Sequence, residues 1–266
     1  MREKIRACLG SVAVIGRELE WFECIDSTNT YLKRKALDGA PDGLVAVADY
    51  QRAGRGRMDR TFQSPVGKGI YLSVLLRPDL PPERILPVTA LAGVAVCNAV
   101  ERICGVRPGL KWPNDPVLGN KKLCGVLTEL VADPERGLAV VLGIGINVLH
   151  RAEDFSPDVV AMATSLAMEL GRQEDRTQLT AALLEELDGM YAALKSGDLS
   201  CWREIYRRDC VNLGRQVRLL AEESTETVTA VDIDPQFGLV IRCEDGREET
   251  VRSGEVSVRG LYGYVE

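Results

Sequence analysis

Lys111-Trp112-Pro113-Asn114-Asp115-Pro116-Val117-Leu118-Gly119-Asn120-Lys121-Lys122-Leu123-Cys124-Gly125 is the stretch from which the rest of the chain is best read. It packs a carboxylate, carboxamides and lysines around one predicted turn. The pair of strands flanking Val117-Leu118-Gly119-Asn120 reads as a β-hairpin, with strands expected near 107–112 and 122–131. That geometry would put Asp115 and Lys122 on adjacent strands facing one site. A lysine at a strand end can offset negative charge developing at a phosphorus or acyl centre, where one such donor is worth ~3–4 kcal/mol. Read alone, the same residues also suit a plain turn and a solvated hairpin end.

Outward from this stretch, apolar periodicity alternates between strands and helices. Upstream, strands are expected at 19–25, Leu44 to Tyr50 and Gly69 to Leu76, and helices from Tyr31 to Leu37 and over 84–104. Pro87 falls in the first turn of the long helix and Gly105 stops it. Downstream, a strand is expected over 138–145, and 150–175 is irregular and ends in a short helix. An amphipathic helix follows over 177–196, and a second short one carries Trp202, Ile205 and Tyr206. After Asn212-Leu213-Gly214 five short strands appear near 216–220, 227–233, 238–243, 248–252 and 255–259. Strands that short and close imply a small β-barrel of the SH3-like kind. Residues 1–211 and 212–266 are therefore expected to be two domains.

Three further motifs bear on chemistry. Gln51-Arg52-Ala53-Gly54-Arg55-Gly56-Arg57-Met58-Asp59-Arg60 carries four arginines against one aspartate, a local charge of +3 in a chain whose net charge is -6. Its glycines permit close backbone approach, and its guanidinium forks match phosphate or carboxylate oxygens. An arginine-glycine RNA patch would repeat and carry aromatics, and this motif occurs once. Gly143-Ile144-Gly145-Ile146-Asn147 is weak by its glycines alone, though the Asn147 carboxamide can read an adenine edge. Asp26-Ser27-Thr28-Asn29 supplies helix-capping chemistry, and the same hydroxyls and amide can line a pocket at the strand-to-helix junction.

Composition narrows the field. The single histidine, His150, rules against a Ser-His-Asp triad and leaves a zinc cluster little to work with. No phosphate loop of the Walker type is present, and an acidic chain is a poor bulk binder of nucleic acid. No apolar run reaches the ~20 residues of a membrane span. Arg2, Lys4 and Arg6 ahead of an apolar stretch mimic a secretion signal, but no small-residue cleavage site follows, so a short helix or strand is expected there. The eight cysteines form no Cys-x-x-Cys pair and read as buried, reduced thiols of a cytoplasmic protein.

Taken in order, the motifs at 26–29, 51–57, 111–115, 122–125 and 143–147 resemble those of biotin protein ligases. The resemblance implies an α+β fold: a class II synthetase-like catalytic domain, with a mixed sheet packed by helices, plus the C-terminal SH3-like barrel. It implies that biotin and Mg²⁺-ATP give biotinyl-5′-AMP and diphosphate. A lysine on the carrier domain of a biotin-dependent carboxylase, by default that of acetyl-CoA carboxylase, then takes the biotinyl group. Under this resemblance Ser27, Thr28, Asn29, Gln51, Arg55, Gly56, Arg57, Lys122 and Gly125 bind biotin. Arg57, Arg60, Asn114, Lys122 and Asn147 bind ATP. Lys122, Arg57 and Asp115 carry the chemistry, with Asp115 also a candidate for orienting Mg²⁺. No nucleic acid or membrane partner is expected, and a homodimer is plausible by analogy. Only 26 residues precede Ser27, too few for the winged-helix domain of bifunctional relatives, so the monofunctional type is expected. The chain departs from the pattern at Met58-Asp59-Arg60-Thr61-Phe62, where relatives commonly carry a glycine before the final Arg and a Trp further on. Phe155 lies in the region of the aromatic expected to stack on adenine but aligns poorly. A lipoate or octanoate ligase is the nearest rival, and Lys111 to Asp115 with the doubled arginine-glycine motif speak against it. A biotin-binding protein without turnover and a transcriptional repressor are the rivals from other classes.

Overall fold

A short helix, α1 (Arg2–Cys8), opens the chain where sequence allowed either a helix or a strand. The computed structural model describes residues 1–56, 61–220, 225–252, 257–260 and 264–265. After β1 (Leu19–Phe22), helix α2 (Thr28–Leu37) starts three residues earlier than predicted. Ser27 is its cap: the residue is extended, and its hydroxyl accepts from the Thr30 N–H at 3.4 Å. Strands β2 (Val45–Ala48) and β3 (Gly69–Leu76) are buried throughout. The long predicted helix is two pieces, α3 (Pro82–Ile85) and α4 (Val88–Cys104). Pro87 has no N–H to continue the first, so it serves instead as the N-cap of the second. Gly105 then ends α4 in the left-handed conformation at φ 70°.

The hairpin at Gly119-Asn120 forms, but on shorter arms than expected. Trp112 to Asn114 turn the chain back, so β4 (Gly109–Lys111), β5 (Asp115–Leu118) and β6 (Lys121–Lys122) make a separate three-stranded antiparallel sheet. Gly119 and Asn120 have φ of 55° and 61°, the positive values a tight two-residue hairpin turn needs. The long pair β7 (Cys124–Asp133) and β8 (Gly137–Asn147) completes a five-stranded sheet in the order β1-β2-β3-β8-β7. Only β1 and β2 run parallel in it, so the sheet is mixed. A 3-10 turn (Ala152–Asp154), α5 (Pro157–Val160), α6 (Leu166–Leu170), α7 (Arg176–Ser196) and α8 (Ser200–Asp209) follow.

Period-2 alternation divides the faces of this sheet. Leu72 and Val74 of β3, with Leu142 and Ile144 of β8, join α4 and α7 in one large core. Leu75, Val131 and Val141 face the other way and pack on Leu32 and Ala36 of α2. Each such aliphatic side chain contributes ~1.5–3 kcal/mol on full burial. Pro82–Cys104 is the one helical stretch among the described residues long and apolar enough to cross a membrane, and 72% of its apolar 18-residue window is buried.

All five C-terminal strands form within a few residues of expectation: β9 (Gln216–Leu220), β10 (Thr225–Ile233), β11 (Leu239–Arg242), β12 (Glu248–Val251) and β13 (Ser257–Gly260). They make an antiparallel sheet in the order β12-β11-β10-β9-β13. Trp112 joins it to the rest. Its indole N–H donates to the Phe237 carbonyl at 3.0 Å, and its backbone N–H donates to Asn212 Oδ1 at 2.8 Å. Tyr206 lies edge-on to Phe237 and donates to the Pro113 carbonyl at 3.0 Å. The main core therefore runs unbroken through Trp112 into Val217, Val228 and Leu239.

The thiols correct one expectation. Cys97, Cys104, Cys124 and Cys210 are buried, but Cys8, Cys24 and Cys201 are exposed at helix ends and in the loop after β1, and all eight are free.

Candidate functional site

A cavity of about 290 Å³ opens between the N-terminus of α2, the glycine-bearing ends of β7 and β8, and the β4–β6 hairpin. Ser27, Thr28, Asn29, Gln51, Arg55, Gly56, Asn114, Asp115, Lys122, Gly125 and Asn147 all line it, so one space gathers the sequence-chosen residues from five motifs. Arg57 and Arg60, with Met58 and Asp59, lie outside the described residues. The loop that carries them is pinned at its base, where Arg55 bridges Thr61 and the Phe62 N–H donates to the Gly54 carbonyl at 2.9 Å.

One end of the cavity is a neutral hydrogen-bond network. The first turn of a helix leaves N–H groups unpaired, and the Thr28 N–H donates to Gln51 Oε1 at 2.9 Å. The Thr28 hydroxyl donates to the same oxygen at 3.1 Å, and Gln51 Nε2 donates to Ser64 Oγ at 3.1 Å. The Ser73 hydroxyl, from the middle of β3, reaches Thr28 Oγ1 at 2.7 Å and Asn29 Oδ1 at 2.5 Å. Asn29 is held in turn by donating to Glu129 at 2.9 Å, beside Lys33 at 2.8 Å from the same carboxylate. Burial alone would raise the Glu129 carboxyl, but the hydrogen bonds from Lys33 and Asn29 outweigh it and hold the group below its usual range.

The floor exists because two side chains are missing. A Cβ on Gly143 would come within 2.2 Å of Asn29 Oδ1, and one on Gly145 within 2.4 Å of the Phe62 ring. Both positions face the cavity, one strand step apart on β8. Sequence reading found this Gly-x-Gly weak; its meaning depends on what lies above it.

The other end is charged. Lys122 Nζ lies 2.6 Å from Asp115 Oδ1, on the adjacent strands β5 and β6 as expected. The Lys122 backbone is clamped from outside the hairpin: its N–H donates to Met162 O at 2.7 Å, and its carbonyl accepts from Thr164 at 2.9 Å. The Tyr264 hydroxyl donates to Asp115 Oδ2. Lys111 Nζ sits 4.5 Å from the Tyr264 ring centroid. Burial pushes the Asp115 carboxyl up, but Lys122 and Lys111, with the Lys122 and Tyr264 hydrogen bonds, outweigh it and keep Asp115 ionised.

Asn114 and Asn147 brace the wall. Asn114 Nδ2 donates to the Val126 carbonyl at 2.6 Å, and Asn147 Nδ2 donates to the Thr164 carbonyl at 3.0 Å. Phe155 lines the cavity, its ring stacked on His150 at 5.2 Å and 12°. His150 is buried, and burial lowers its pKa to about 4. Among the described residues no group of three or more His, Cys, Asp or Glu side chains is placed to hold a metal. Both Asp115 oxygens already accept from protein donors, which suits a positioning carboxylate better than the ligand of a resident metal ion.

Sequence reading missed Ser73, Phe62, Tyr264 and the buried Lys111 as members of the site. Ser73 left a signal, being the one hydroxyl inside the apolar run from Ile70 to Leu76 apart from the Tyr71 phenol. Tyr264 left none, since it meets Asp115 across 149 residues of chain.

Known proteins share much of this sequence and fold. Residues 21–147 match the Biotin/lipoate A/B protein ligase family, and 213–259 match the Biotin protein ligase C terminal domain. The chain is 36% identical to the Biotin--[acetyl-CoA-carboxylase] ligase of Mycobacterium tuberculosis, over 90% of this chain and 88% of that one. It is 34% identical to the Bifunctional ligase/repressor BirA of Bacillus spizizenii, over 88% of this chain and 72% of that one. In structure it is similar to a ligase of Aquifex aeolicus solved in complex with biotin and ATP, with a TM-score of 0.82, 32% identity, and coverage of 92% of this chain and 99% of that one.

Proposed function

This chain belongs to the biotin protein ligase family, and from that premise we propose how its cavity activates biotin and passes it on. The protein is an ATP-dependent ligase that forms biotinyl-5′-AMP and transfers the biotinyl group to a protein lysine. The observation that carries the residue-level reading is one cavity with two unlike ends: the Thr28–Gln51 network at one, the Lys122–Asp115 pair at the other.

The neutral end takes the ureido ring. Ser27, Thr28, Asn29 and Gln51 offer it hydroxyls and amides beside Gly125, and the β8 glycines let Asn29 and the Phe62 ring sit close on the sheet to line that end. The charged end takes the carboxylate and the nucleotide. A biotin carboxylate oxygen attacks the α-phosphorus of Mg²⁺-ATP, and the bond to diphosphate breaks. Two anions must meet for that step. The Lys122 ammonium offsets their repulsion and steadies the phosphorus centre beside Arg55 and Gly56, and the Arg57 and Arg60 guanidinium groups are assigned to the same anions on their chemistry alone. Asn114 and Asn147 hold the adenine side, with Phe155 as the stacking aromatic. In the second step an amine of the carrier lysine attacks the acyl carbon and AMP leaves. Asp115 acts by aiming Lys122, not as a free-standing metal ligand.

The acceptor is the carrier domain of a biotin-dependent carboxylase, with that of acetyl-CoA carboxylase as the default. Nucleic acid is not a partner of so acidic a chain, and exposed free thiols suit the reducing cytoplasm. A homodimer would use an open sheet edge, at β1 or β7. The test is biotin or lipoate with ATP, Mg²⁺ and a carrier domain, read by diphosphate release and by avidin blot. Biotin-dependent diphosphate and a labelled carrier are expected; lipoate transfer in place of biotin would overturn the reading.

A further inference from the structure

Lys122 and Asp115 are neighbours on one hairpin, but the group that completes their arrangement comes from the far end of the chain. Asp115 has two oxygens. One accepts from the Lys122 ammonium at 2.6 Å; the other accepts from the Tyr264 hydroxyl. The Tyr264 ring also lies under the Lys111 ammonium, 4.5 Å from its centroid. Val265, the next residue, is 2% exposed and anchors the tail at that point. Three hairpin strands and the C-terminal tail thus converge on one carboxylate, and the phenol touches both the acid and the second base.

With both oxygens open, a carboxylate can chelate an ammonium and hold it back from a substrate. With one oxygen occupied by a phenol, it holds the ammonium through a single, directed hydrogen bond. The remaining N–H donors of Lys122 then point toward the cavity. A ring under Lys111 fixes that second cation beside the first. We infer that Tyr264 is a positioning residue for adenylation: its hydroxyl fixes Asp115 so that Lys122 faces the reacting carboxylate and phosphate, and its ring seats Lys111 alongside. The C-terminal tail thereby takes part in the first chemical step. This inference rests on the function proposed above.

The groups acting on Asp115 are Lys122, Lys111 and Tyr264, with weaker electrostatic coupling to Cys124 and Tyr206. Tyr264→Phe keeps the ring and removes only the hydroxyl. The full-length variant is expected to fold and to bind biotin as the wild type does. Its kcat for biotin-dependent diphosphate release should fall about tenfold, the scale of a lost hydrogen bond to a charged group. Its biotin KM should stay within about twofold, because the ring end is untouched. The acid limb of its pH–rate profile should move up, because the phenol's hydrogen bond helps keep Asp115 ionised. Tyr264→Ala, which also releases Lys111, should lose more in kcat. Wild-type kcat and pH profile in Tyr264→Phe would overturn this inference alone. So would a Phe variant that loses biotin affinity and melting temperature together, since that marks a structural tail. A wild-type chain that releases no diphosphate would overturn the proposed function and this inference with it.

Discussion

The two ends of the cavity solve opposite problems. At the ring end the bonding network is neutral apart from the Glu129–Lys33 ion pair that braces Asn29, and the polar atoms bond to one another: Thr28 to Gln51, Gln51 to Ser64, Ser73 to Asn29. Neutral groups so paired can be buried at modest cost, and Ser27, Thr28, Asn29 and Ser73 are all buried. At the hairpin end the groups are charged, and the working ammonium keeps contact with solvent: the Lys122 side chain is 34% exposed, against 13% for Asp115. Burying both ions fully would cost more than their attraction returns. Under the proposed function, recognition falls to the buried, neutral end and chemistry to the charged end.

The sharpest way to break this comparison is Lys122→Ala. Adenylation should fall at least ~100-fold, the scale for removing one preorganised donor, while binding at the ring end is largely retained. Diphosphate release and biotin titration together measure both. Loss of biotin binding with equal severity would mean that the two ends are not separable.

Acid should act on His150 and Asp115 in sequence. His150 is buried neutral with a pKa near 4, so the unfolded chain binds its proton first as pH drops below 6.5. Stability should therefore fall between pH 6.5 and about 4, by up to ~3 kcal/mol if that shift is fully expressed. Asp115 has the reverse sign. Its carboxyl is held low, so the stability it brings is complete above its ordinary value and is lost only in stronger acid, as pH falls through the lowered one. Thermal melts from pH 7 to 4.5 should show the loss in wild type, and His150→Gln should flatten it. An unchanged slope in that variant would assign the acid sensitivity elsewhere.

Gly143→Ala tests the ring end alone. Its methyl would meet Asn29 Oδ1, and overpacking of ~1–3 kcal/mol should weaken biotin about tenfold or more. ATP affinity should hold, as calorimetry with each ligand would report. The smallest effect is expected at Arg52. The charge count placed it with the anion-binding arginines, but it pairs with Asp26 at 2.9 Å on the open surface. Arg52→Ala should leave turnover within about twofold, as for most exposed ion pairs.

What sequence determined by itself was whatever depends on neighbours along the chain. Ser27 caps a helix, Gly119-Asn120 turns a hairpin, and alternation marks the buried strands, because each is decided within a few residues. The hairpin also sufficed to bring the Lys122 side chain within reach of Asp115 on the adjacent strand, and the five C-terminal strands were legible from their turns. Tertiary structure alone decided the rest. It made the glycines of β8 a floor by setting Asn29 and Phe62 above them, and made Trp112 the joint between the hairpin and the C-terminal sheet. It also brought Tyr264 to Asp115 and gave Asn114 and Asn147 bracing bonds that their carboxamides do not announce. These contacts join segments far apart in the chain. Their energy appears only once the core has met the entropy cost of bringing the segments together, so no local pattern records them.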